Sequence, residues 1–408
     1  MAARQAALAA ICATLALPAL GQAPAPQPYG ASADGAFMAC LLTLKADAVG
    51  RGIPQAVADR ALGGLTPDQR VLDLDKKQPE FVLTFWRYYA NSVTEERIAK
   101  GRALLQQHRA LLAGITKKFG VQPEFLIAFW GLETNYGTYM GDFSILRSLV
   151  TLACDDRRPA FFAAELLEAL RMIANDRINV ADMKGSWAGA FGHTQFMPST
   201  FTRHALDGDG DKRRDLFHSL PDVFNSSANY LQKSGWKAGE RAVQEVRLPE
   251  NFPWEEAEPT NEKPLAEWAK LGVRLVDGSP LPMGGQLVGL ALPSGARGPA
   301  FLTYPNFKVI MIWNRSTLYA LAVGLLAEKL AGRPGLTMAV VDNEPPLTIE
   351  RVLDMQATLT KLGYYQGEAD GLVGPRTRAA LRQWQKSIGV PADGYPSAEL
   401  LDRLLAKR

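Results

Sequence analysis

Residues 123–137 read Pro-Glu-Phe-Leu-Ile-Ala-Phe-Trp-Gly-Leu-Glu-Thr-Asn-Tyr-Gly, and this stretch indicates a helical fold. Proline is tolerated in the first turn of a helix, so Pro123 can begin one. Apolar residues then recur at the spacing of one buried helical face: Phe125, Ala128, Phe129 and Leu132. The stretch therefore predicts a buried helix that carries Glu133 near its last turn and ends at Gly137.

A carboxylate at that position meets two effects that favour its protonated form. Apolar walls penalise the charge, and the negative end of the helix dipole does the same. A carboxylic acid that is neutral near pH 7 can act as a general acid. From this stretch alone, a Glu133 that faces water and helps to end the helix is an equally good interpretation.

Composition sets the class of protein but not its activity. The chain has 408 residues, of which 47% are hydrophobic and 21% charged, with a net charge of +3. This length predicts more than one domain, or one large domain with an appendage. The sequence has no Lys/Arg-rich run, phosphate-loop motif, dinucleotide fingerprint or zinc-finger spacing, so we expect no nucleic-acid partner. Its four histidines form no convincing catalytic triad.

The N-terminal residues 1–21 have the pattern of a secretory signal peptide. Arg4 precedes an apolar stretch too short to span a bilayer comfortably, and Ala19-Leu20-Gly21 fits a cleavage site between small residues. Cys12 follows Ile11, where a lipid-attachment signal would have a small residue, so we do not expect a lipoprotein. These features predict a periplasmic protein without a transmembrane segment.

Removal of the signal would leave two cysteines, Cys40 and Cys154. An even pair in an exported protein favours a disulfide bond. Two free buried thiols, which behave as small hydrophobic side chains, are the alternative.

The pattern beyond the signal predicts a mainly α protein with a small β insert. The expected helices are 37–49, 66–74, 94–119, 159–175, 220–234, 264–271 and 316–331, and the expected strands are 243–248, 286–292 and 307–313. A proline-bearing linker, 333–346, leads to a separate domain, 347–408. In that domain we expect three helices, 349–362, 374–388 and 397–406.

The segment 184–200 interleaves glycines with polar and aromatic residues. Such a backbone can approach a flat ligand closely, with Ser186 and Gln195 as hydrogen-bonding groups and Trp187 or Phe196 as a stacking face. Sugars need this mixture, but a plain glycine-rich loop between helices is the better interpretation of this segment alone.

Asp207, Asp209 and Asp211 place oxygen atoms at every second residue, as calcium loops do. The loop departs twice from the EF-hand pattern, with Lys212 at the glycine position and His218 at the position of the bidentate glutamate. An acidic, solvated turn is an equally good interpretation, and a bound metal would be structural.

Two further groups are candidates for ligand binding. Arg157 and Arg158 could grip a substrate by forked hydrogen bonds, although a surface ion pair with Asp155 and Asp156 is the simpler interpretation. In the segment 313–319, Asn314 and Tyr319 could reach a ligand, while Ser316 or Thr317 caps the next helix.

Residues 34–332 resemble the catalytic domain of the lytic murein transglycosylase B family, glycoside hydrolase family 103. The resemblance rests on several motifs in the same order: 131–137, 184–199, 207–215, 228–231 and 314–316. Residues 347–406 are similar to the three-helix peptidoglycan-binding domain, through Leu362-Gly363-Tyr364-Tyr365, Asp370-Gly371, Gly374 and Thr377.

The resemblance implies a lysozyme-like helical fold around a groove, with Glu133 as the single catalytic residue. It implies a sugar-binding role for Ser186, Gln195, Arg157, Arg158, Tyr230, Trp313, Asn314 and Tyr319. Trp313 stands where family members can have tyrosine, so a stacking face is kept and a hydroxyl is lost. The family's metal loop corresponds to Asp207, Asp209 and Asp211, so a structural calcium ion is expected at most, and no cofactor is required for the chemistry.

The family resemblance implies cleavage of the MurNAc-GlcNAc β-1,4 bond of peptidoglycan without water, which leaves a 1,6-anhydroMurNAc end. The expected partners are peptidoglycan glycan strands, with partners in the wall machinery left open. Two alternatives remain, a hydrolytic muramidase and a non-catalytic peptidoglycan-binding protein. Asp142 is another carboxylate nearby in sequence, and we expect it to be exposed.

Overall fold

A computed structural model describes residues 33–76, 81–339, 345 and 347–406. The predicted signal peptide, 1–21, lies outside these residues. The described chain forms two compact units, one made of 33–76 and 103–234 and the other of 81–102 and 235–406. The division between the two units falls within helix Glu95–Gln107.

The first unit is helical. Its helices are Ala33–Gly50, Gln55–Leu62, Gln69–Lys76, Arg109–Phe119, Pro123–Thr134, Ile145–Ala153, Pro159–Asn175, Pro198–His204 and Leu220–Lys233. Two short strands, Phe143–Ser144 and Lys184–Gly185, pair in antiparallel fashion. The core contains fully buried aromatic side chains: Phe125, Phe129, Phe162, Phe191, Phe196, Phe201 and Phe224. Burial of such large side chains dominates the favourable free energy of folding.

A disulfide bond joins Cys40, in the first helix, to Cys154, the residue after helix Ile145–Ala153. The two Cα atoms are 5.9 Å apart, and the bond closes a sequence separation of 114 residues. Helix Ala33–Gly50 also packs against helix Ile145–Ala153, so the covalent bond reinforces an existing contact.

The second unit contains a five-stranded antiparallel sheet. The strands lie in the order Lys263–Pro264, Leu287–Ala291, Ala300–Thr303, Val243–Arg247 and Arg274–Leu275. The helices of this unit outside the C-terminal domain are Phe85–Ser92, Leu265–Lys270, Pro305–Trp313 and Thr317–Leu330. Trp268 is fully buried beneath the sheet, where its indole N–H donates to the carbonyl of Val288 over 2.8 Å.

The second unit ends in three helices, Ile349–Lys361, Pro375–Ser387 and Ala398–Leu405. A separate apolar cluster, which includes Met355, Leu381 and Trp384, holds them together. Before the first of these helices, Leu347–Thr348 pairs with Phe81–Val82 in a two-stranded ladder. The prediction of a mainly α fold with a small β insert and a C-terminal three-helix domain is confirmed.

One predicted strand is wrong. Residues 307–313 form the helix Pro305–Trp313. Pro305 occupies its first turn, and Phe307 and Ile310 turn inward at a spacing of three residues. A short apolar run has no periodicity that separates a buried helix from a buried strand, which explains the error. The pattern also failed to indicate the strand Ala300–Thr303.

A second prediction needs correction in detail. The helix expected over 94–119 is two helices, Glu95–Gln107 and Arg109–Phe119, which are separated at His108. The helix expected over 66–74 lies slightly later, at Gln69–Lys76. In the part of the chain that the structure describes, none of the helices combines the length and the apolar character that crossing a membrane requires.

Candidate active site

Glu133 is the penultimate residue of helix Pro123–Thr134 and is half-buried. Phe125, Ala128 and Phe129 are buried as predicted, whereas Leu132, which was predicted to share that face, is half-buried. The helix ends three residues before the predicted Gly137, because Asn135, Tyr136 and Gly137 all have positive φ, at 49°, 62° and 75°. Three successive left-handed residues turn the chain sharply away from the helix, directly after the candidate acid.

Two glycines make this turn possible. The Tyr136 ring folds back over Gly131, where a Cβ would lie 2.8 Å from Cζ of that ring. At Gly137 a Cβ would lie 2.4 Å from Cε1 of His193, in addition to the strain of its positive φ. The two glycines of the motif Gly-Leu-Glu-Thr-Asn-Tyr-Gly, one on each side of Glu133, therefore let the Tyr136 and His193 rings pack directly against the backbone.

Hydrogen bonds join the end of the Glu133 helix to His193 of the glycine-rich segment 184–198. Trp130 Nε1 donates to His193 Nδ1 over 2.9 Å, and Thr134 Oγ1 donates to the carbonyl of His193 over 2.7 Å. Thr134 Oγ1 also accepts from the N–H of Gly137 over 3.0 Å. These bonds hold the position of Glu133 relative to the loop.

The protonation of His193 follows from this arrangement. An indole N–H can only donate, so Nδ1 must be the unprotonated nitrogen of a neutral imidazole. Burial lowers the pKa of His193, and the nearby His218 acts in the same direction. Sequence reasoning did not find this role, because no spacing rule relates Trp130 to His193.

The glycine-rich segment 184–198 is tightly packed, and we call it the glycine-rich wall. Its first strand lies against the segment after Glu133, where a Cβ on Gly141 would be 2.1 Å from the carbonyl oxygen of Gly185. A Cβ on Gly185 would in turn be 2.1 Å from the carbonyl oxygen of Ala190. The glycines thus serve the packing of backbone on backbone.

Ser186 and Gln195 hold this wall in shape. The Oγ of Ser186, a buried residue, accepts from the N–H of Ala190 over 3.0 Å. Gln195 has φ 51°, and its amide nitrogen donates to the carbonyls of Met140 and Gly192 over 3.0 and 3.1 Å. Its Oε1 accepts no hydrogen bond from any residue that the structure describes, so it retains the capacity to accept from a ligand.

Arg157 and Arg158 both bind Asp75, whose side chain is only 2% exposed. Arg157 also donates to the backbone carbonyl of Asp75, and Arg158 reaches Asp75 Oδ1 over 2.6 Å. The surface pair with Asp155 and Asp156 is not the main interaction of these arginines. Their role in substrate binding stays a prediction.

Tyr230 lies in helix Leu220–Lys233 and is half-buried. Its ring stacks on His204 at a centroid distance of 4.6 Å and meets the Phe196 ring edge-on at 5.8 Å. The structure therefore brings Tyr230 against one aromatic residue of the glycine-rich wall.

The remaining sugar-site candidates belong to the second unit. Asn314 follows helix Pro305–Trp313, and its Oδ1 accepts from the N–H of Ser316 over 3.2 Å. Ser316 Oγ caps the next helix by accepting from the N–H of Tyr319 over 3.2 Å. Trp313 and Asn314 are half-buried, whereas Tyr319 is buried with 4% exposure.

The buried carboxylates of the first unit have structural partners. Among the residues that the structure describes, this group consists of Asp68, Asp75, Glu165 and Asp222. Asp68 binds Arg70, Glu165 accepts from the N–H and hydroxyl of Ser199, and Asp222 accepts from two backbone N–H groups. Burial raises the pKa of Glu165 and of Asp222. Asp142, another carboxylate nearby in sequence, is exposed as expected.

The acidic loop has the oxygen donors of a calcium site. Carboxylate oxygens of Asp207, Asp209 and Asp211 all lie within 4.8 Å of one another. Lys212 adopts φ 67°, the left-handed conformation for which an EF-hand uses glycine. His218 Nδ1 lies 3.0 Å from Asp215 Oδ2 and supplies no bidentate carboxylate. The donor set fits a hard cation held by fewer ligands than a complete EF-hand provides.

Comparison with known proteins places the chain in a family. Residues 36–328 match the transglycosylase SLT domain, and residues 348–404 match a peptidoglycan-binding domain. Over 251 residues, the chain is 32% identical to membrane-bound lytic murein transglycosylase B of Escherichia coli, which covers 60% of this chain and 67% of the relative.

Solved structures of lytic transglycosylases are also similar to this chain. SltB3 from Pseudomonas aeruginosa, in complex with NAG-anhNAM-pentapeptide, superposes with a TM-score of 0.88 at 42% identity, over 90% of this chain and 99% of that one. The E. coli lytic transglycosylase Slt35, in complex with calcium, gives a TM-score of 0.63 at 28% identity, over 72% of this chain and 92% of that one.

The class of protein is thereby defined as a lytic transglycosylase with a lysozyme-like helical fold. The chain belongs to the family of transglycosylase SLT domains and carries a peptidoglycan-binding domain at its C-terminal end.

Proposed function

We propose that Glu133 is the single acid and base with which this enzyme cleaves the MurNAc-GlcNAc β-1,4 bond of peptidoglycan without water, leaving 1,6-anhydroMurNAc ends. The observation that carries the proposal is the position of this side chain. Glu133 stands half-buried at a sharply turned helix end beside the glycine-rich wall, whereas Asp142, which follows the turn, is exposed. A glycosidase with two catalytic carboxylates would need a second one near the first.

The reaction then proceeds in two steps. Protonated Glu133 gives its proton to the glycosidic oxygen, and the GlcNAc hydroxyl leaves with the bonding electrons as the acetamido carbonyl of MurNAc bonds to C1. The Glu133 carboxylate next removes the proton of the C6 hydroxyl. O6 bonds to C1, the carbonyl is released, and Glu133 is again protonated.

The wall residues position the sugar. Gln195 Oε1 can accept a hydrogen bond from the acetamido N–H, because the two amide hydrogens of Gln195 are engaged by Met140 and Gly192. Ser186 Oγ accepts from Ala190 and keeps its own hydrogen for donation. We assign Arg157, Arg158, Tyr230, Trp313, Asn314 and Tyr319 to the rest of the glycan site on the family resemblance. SltB3, solved with a ligand that contains an anhydro sugar, supports the proposed product.

The test is product analysis by mass spectrometry after digestion of purified sacculi. We expect anhydro muropeptides, lighter by one water than hydrolysed ones and inert to borohydride. Glu133→Gln should melt within a few degrees of the wild type and lose at least about 10³-fold in turnover. Reducible ends would establish the hydrolytic muramidase instead, and sacculi that never clear would leave a non-catalytic binding protein.

We further propose that residues 34–332 form the catalytic domain, 333–346 a linker and 347–408 an anchor. The anchor would keep the enzyme on its insoluble polymer and raise the effective concentration of glycan. A signal peptide at 1–21 would direct the chain to the periplasm. Deletion of 347–408 should weaken binding to sacculi and spare cleavage of soluble fragments.

We also propose that Asp207, Asp209 and Asp211 hold a calcium ion that stabilises their loop. The chemistry of the donor set and the calcium complex of Slt35 support this assignment. The ion takes no part in the reaction.

A further inference from the structure

Two turns of the C-terminal domain, Asp370-Gly371 and Asp393-Gly394, are held in the same way. Gln356 donates to Asp370 Oδ1 over 2.8 Å and accepts from the N–H of Gly371 over 2.9 Å. Gln385 donates to Asp393 Oδ1 over 2.6 Å and accepts from the N–H of Gly394 over 2.8 Å. One buried glutamine thus clamps each turn.

The match extends to the neighbouring backbone. Asp370 Oδ1 also accepts from the N–H of Leu372 over 2.9 Å, and Asp393 Oδ1 accepts from that of Tyr395 over 2.8 Å. The glycines of the two turns have φ of 72° and 71°. The two turns therefore present their second carboxylate oxygen, Oδ2, in equivalent positions.

The helix face beneath each turn repeats as well, but with different chemistry. A Cβ on Gly371 would meet Ile349 and Leu353, whereas one on Gly394 would meet Arg378 and Arg382. Arg378 follows Ile349 by 29 residues, and Arg382 follows Leu353 by the same number. Gln385 likewise follows Gln356 by 29 residues. The first turn thus has an apolar floor where the second has a basic one.

The chain itself occupies the second turn. Asp393 Oδ2 accepts from the N–H of Ala296 over 2.7 Å. The preceding Gly295 lies so close that a Cβ there would be 2.7 Å from Asp393 Oδ2. Arg382 extends the contact by donating to the carbonyl of Ala257 over 3.0 Å and to Glu258 Oε2 over 2.6 Å. This turn therefore binds a small-residue peptide segment through a backbone N–H.

The first turn has the same acceptor without such an occupant. Asp370 is exposed, and its Oδ2 accepts no hydrogen bond from the residues described in the structure. Leu372, which corresponds to Tyr395, is 46% exposed, and Leu353 is half-buried. An acceptor beside accessible apolar surface suits a backbone N–H that is flanked by small apolar side chains.

We propose that the Asp370-Gly371 turn is a peptide-binding site that takes the alanine-bearing peptide stem of peptidoglycan, with Asp370 Oδ2 accepting a stem amide N–H. Gly295-Ala296, which occupies the equivalent turn, indicates that such a turn binds a backbone N–H flanked by small residues. Leu353 stands in the apolar floor where the second turn has Arg382, which pairs with Glu258, so a neutral part of the stem fits best. This inference rests on the proposal that peptidoglycan is the substrate.

Asp370→Asn tests the site in the full chain that carries Glu133→Gln, so that binding is measured without turnover. Oδ1 still accepts from Gln356 and Leu372, which fixes the new amide group outward as a donor in place of an acceptor. The probes are sacculi with intact stems and sacculi from which an amidase has removed the stems. We expect the parent to bind intact sacculi roughly 10-fold more tightly than stripped sacculi, and the variant to lose that preference.

Asp393→Asn is the matched control, since it makes the same exchange in the turn that the chain occupies. It should keep the preference for intact sacculi and lower the melting temperature, because Ala296 N–H loses its acceptor. A variant Asp370→Asn that keeps the preference would overturn the inference, as would a parent that binds both sacculi equally.

A melting curve shows whether Asp370→Asn is folded. If it is not, Leu372→Ser carries the test, and an unchanged preference in that variant also refutes the site. Failure here is distinct from failure of the proposed function, which would appear as missing anhydro products from the wild-type enzyme.

Discussion

Trp130 Nε1 donates a hydrogen bond to His193 Nδ1 over 2.9 Å, across 63 residues of sequence. The indole belongs to the helix that ends at Glu133, and the imidazole belongs to the glycine-rich wall. The bond thereby ties the proposed acid to the surface against which we place the sugar. Its loss should disturb the geometry of catalysis as well as the stability of the fold.

Trp130→Phe should test this link. The change keeps an aromatic ring against Tyr136 and Phe224 but leaves the half-buried His193 Nδ1 without its donor. An unsatisfied acceptor costs about 1–3 kcal/mol, so we expect lower unfolding free energy and roughly 10-fold lower kcat on soluble glycan. Denaturant unfolding and product release from soluble fragments measure the two effects.

Trp86→Phe provides the control. Trp86 is buried at 5% exposure, and its indole makes no hydrogen bond to the residues that the structure describes. Trp86→Phe should have a lower unfolding free energy because it buries less apolar surface, and its kcat should stay unchanged. Equal turnover in the two variants would contradict a positioning role for the Trp130–His193 bond.

The stability of the protein should fall in mild acid because of His193. Burial lowers the pKa of this imidazole below its ordinary value of 6.5 in the folded state. The unfolded chain therefore binds the proton first, and the stability that the neutral ring contributes is complete above pH 6.5. It is lost as the pH falls below 6.5 towards the lowered folded-state pKa.

His193→Gln isolates this contribution because glutamine does not ionise. The pKa of His204 is also lowered by burial, but His204 is present in both proteins and cancels from their difference. Urea unfolding from pH 5 to pH 8 should show the difference between wild type and variant shrinking on the acidic side. A difference that grows towards acid would reverse the assigned sign.

The sequence predicted the class of this protein better than the geometry of its candidate site. The helix before Glu133 was predictable because its apolar positions Phe125, Ala128 and Phe129 are all buried in the core. By contrast, the Trp130–His193 bond and the binding of Asp75 by Arg157 and Arg158 are fixed by tertiary packing, which leaves no local spacing to detect.

Ambiguity between helix and strand caused the largest error in the fold. Residues 307–313 are apolar on nearly every position, so a buried strand and a buried helix have the same pattern there. Only Pro305, which starts the helix, distinguished them. The positive φ of Asn135 and Tyr136 could not be inferred either, because both depend on the Tyr136 ring closing over Gly131.

The disulfide should contribute much of the stability of the first unit. Cys40 and Cys154 are 114 residues apart, and closing such a loop removes conformational entropy from the unfolded chain. On the chain-entropy model, this stabilises the folded state by about 4–5 kcal/mol. Cys40→Ser with Cys154→Ser should reduce the unfolding free energy towards that amount in denaturant titrations.

Reduction provides the control for this prediction. A reducing agent should destabilise the wild type to the level of the double variant and leave the double variant unchanged. If the wild type resists denaturant equally well before and after complete reduction of the Cys40–Cys154 disulfide, the bond has no such role.

Lys212→Gly should strengthen calcium binding by the acidic loop. Lys212 has φ 67°, which costs a residue with a side chain about 1 kcal/mol, and it places a positive charge beside Asp207, Asp209 and Asp211. Glycine removes both penalties. We expect millimolar calcium to raise the melting temperature of the wild type slightly and that of Lys212→Gly by more, while Asp209→Asn abolishes the shift.

Arg177→Gly is the matched control, because Arg177 is also an exposed basic residue with positive φ, at 56°, and lies outside the loop 207–218. It should relieve similar backbone strain without changing the response to calcium. If calcium raises the melting temperatures of Arg177→Gly and Lys212→Gly by the same amount, Lys212 does not weaken calcium binding. If calcium shifts neither of these variants nor the wild type, the loop holds its shape through the backbone hydrogen bonds to Asp207 and Asp211, without an ion.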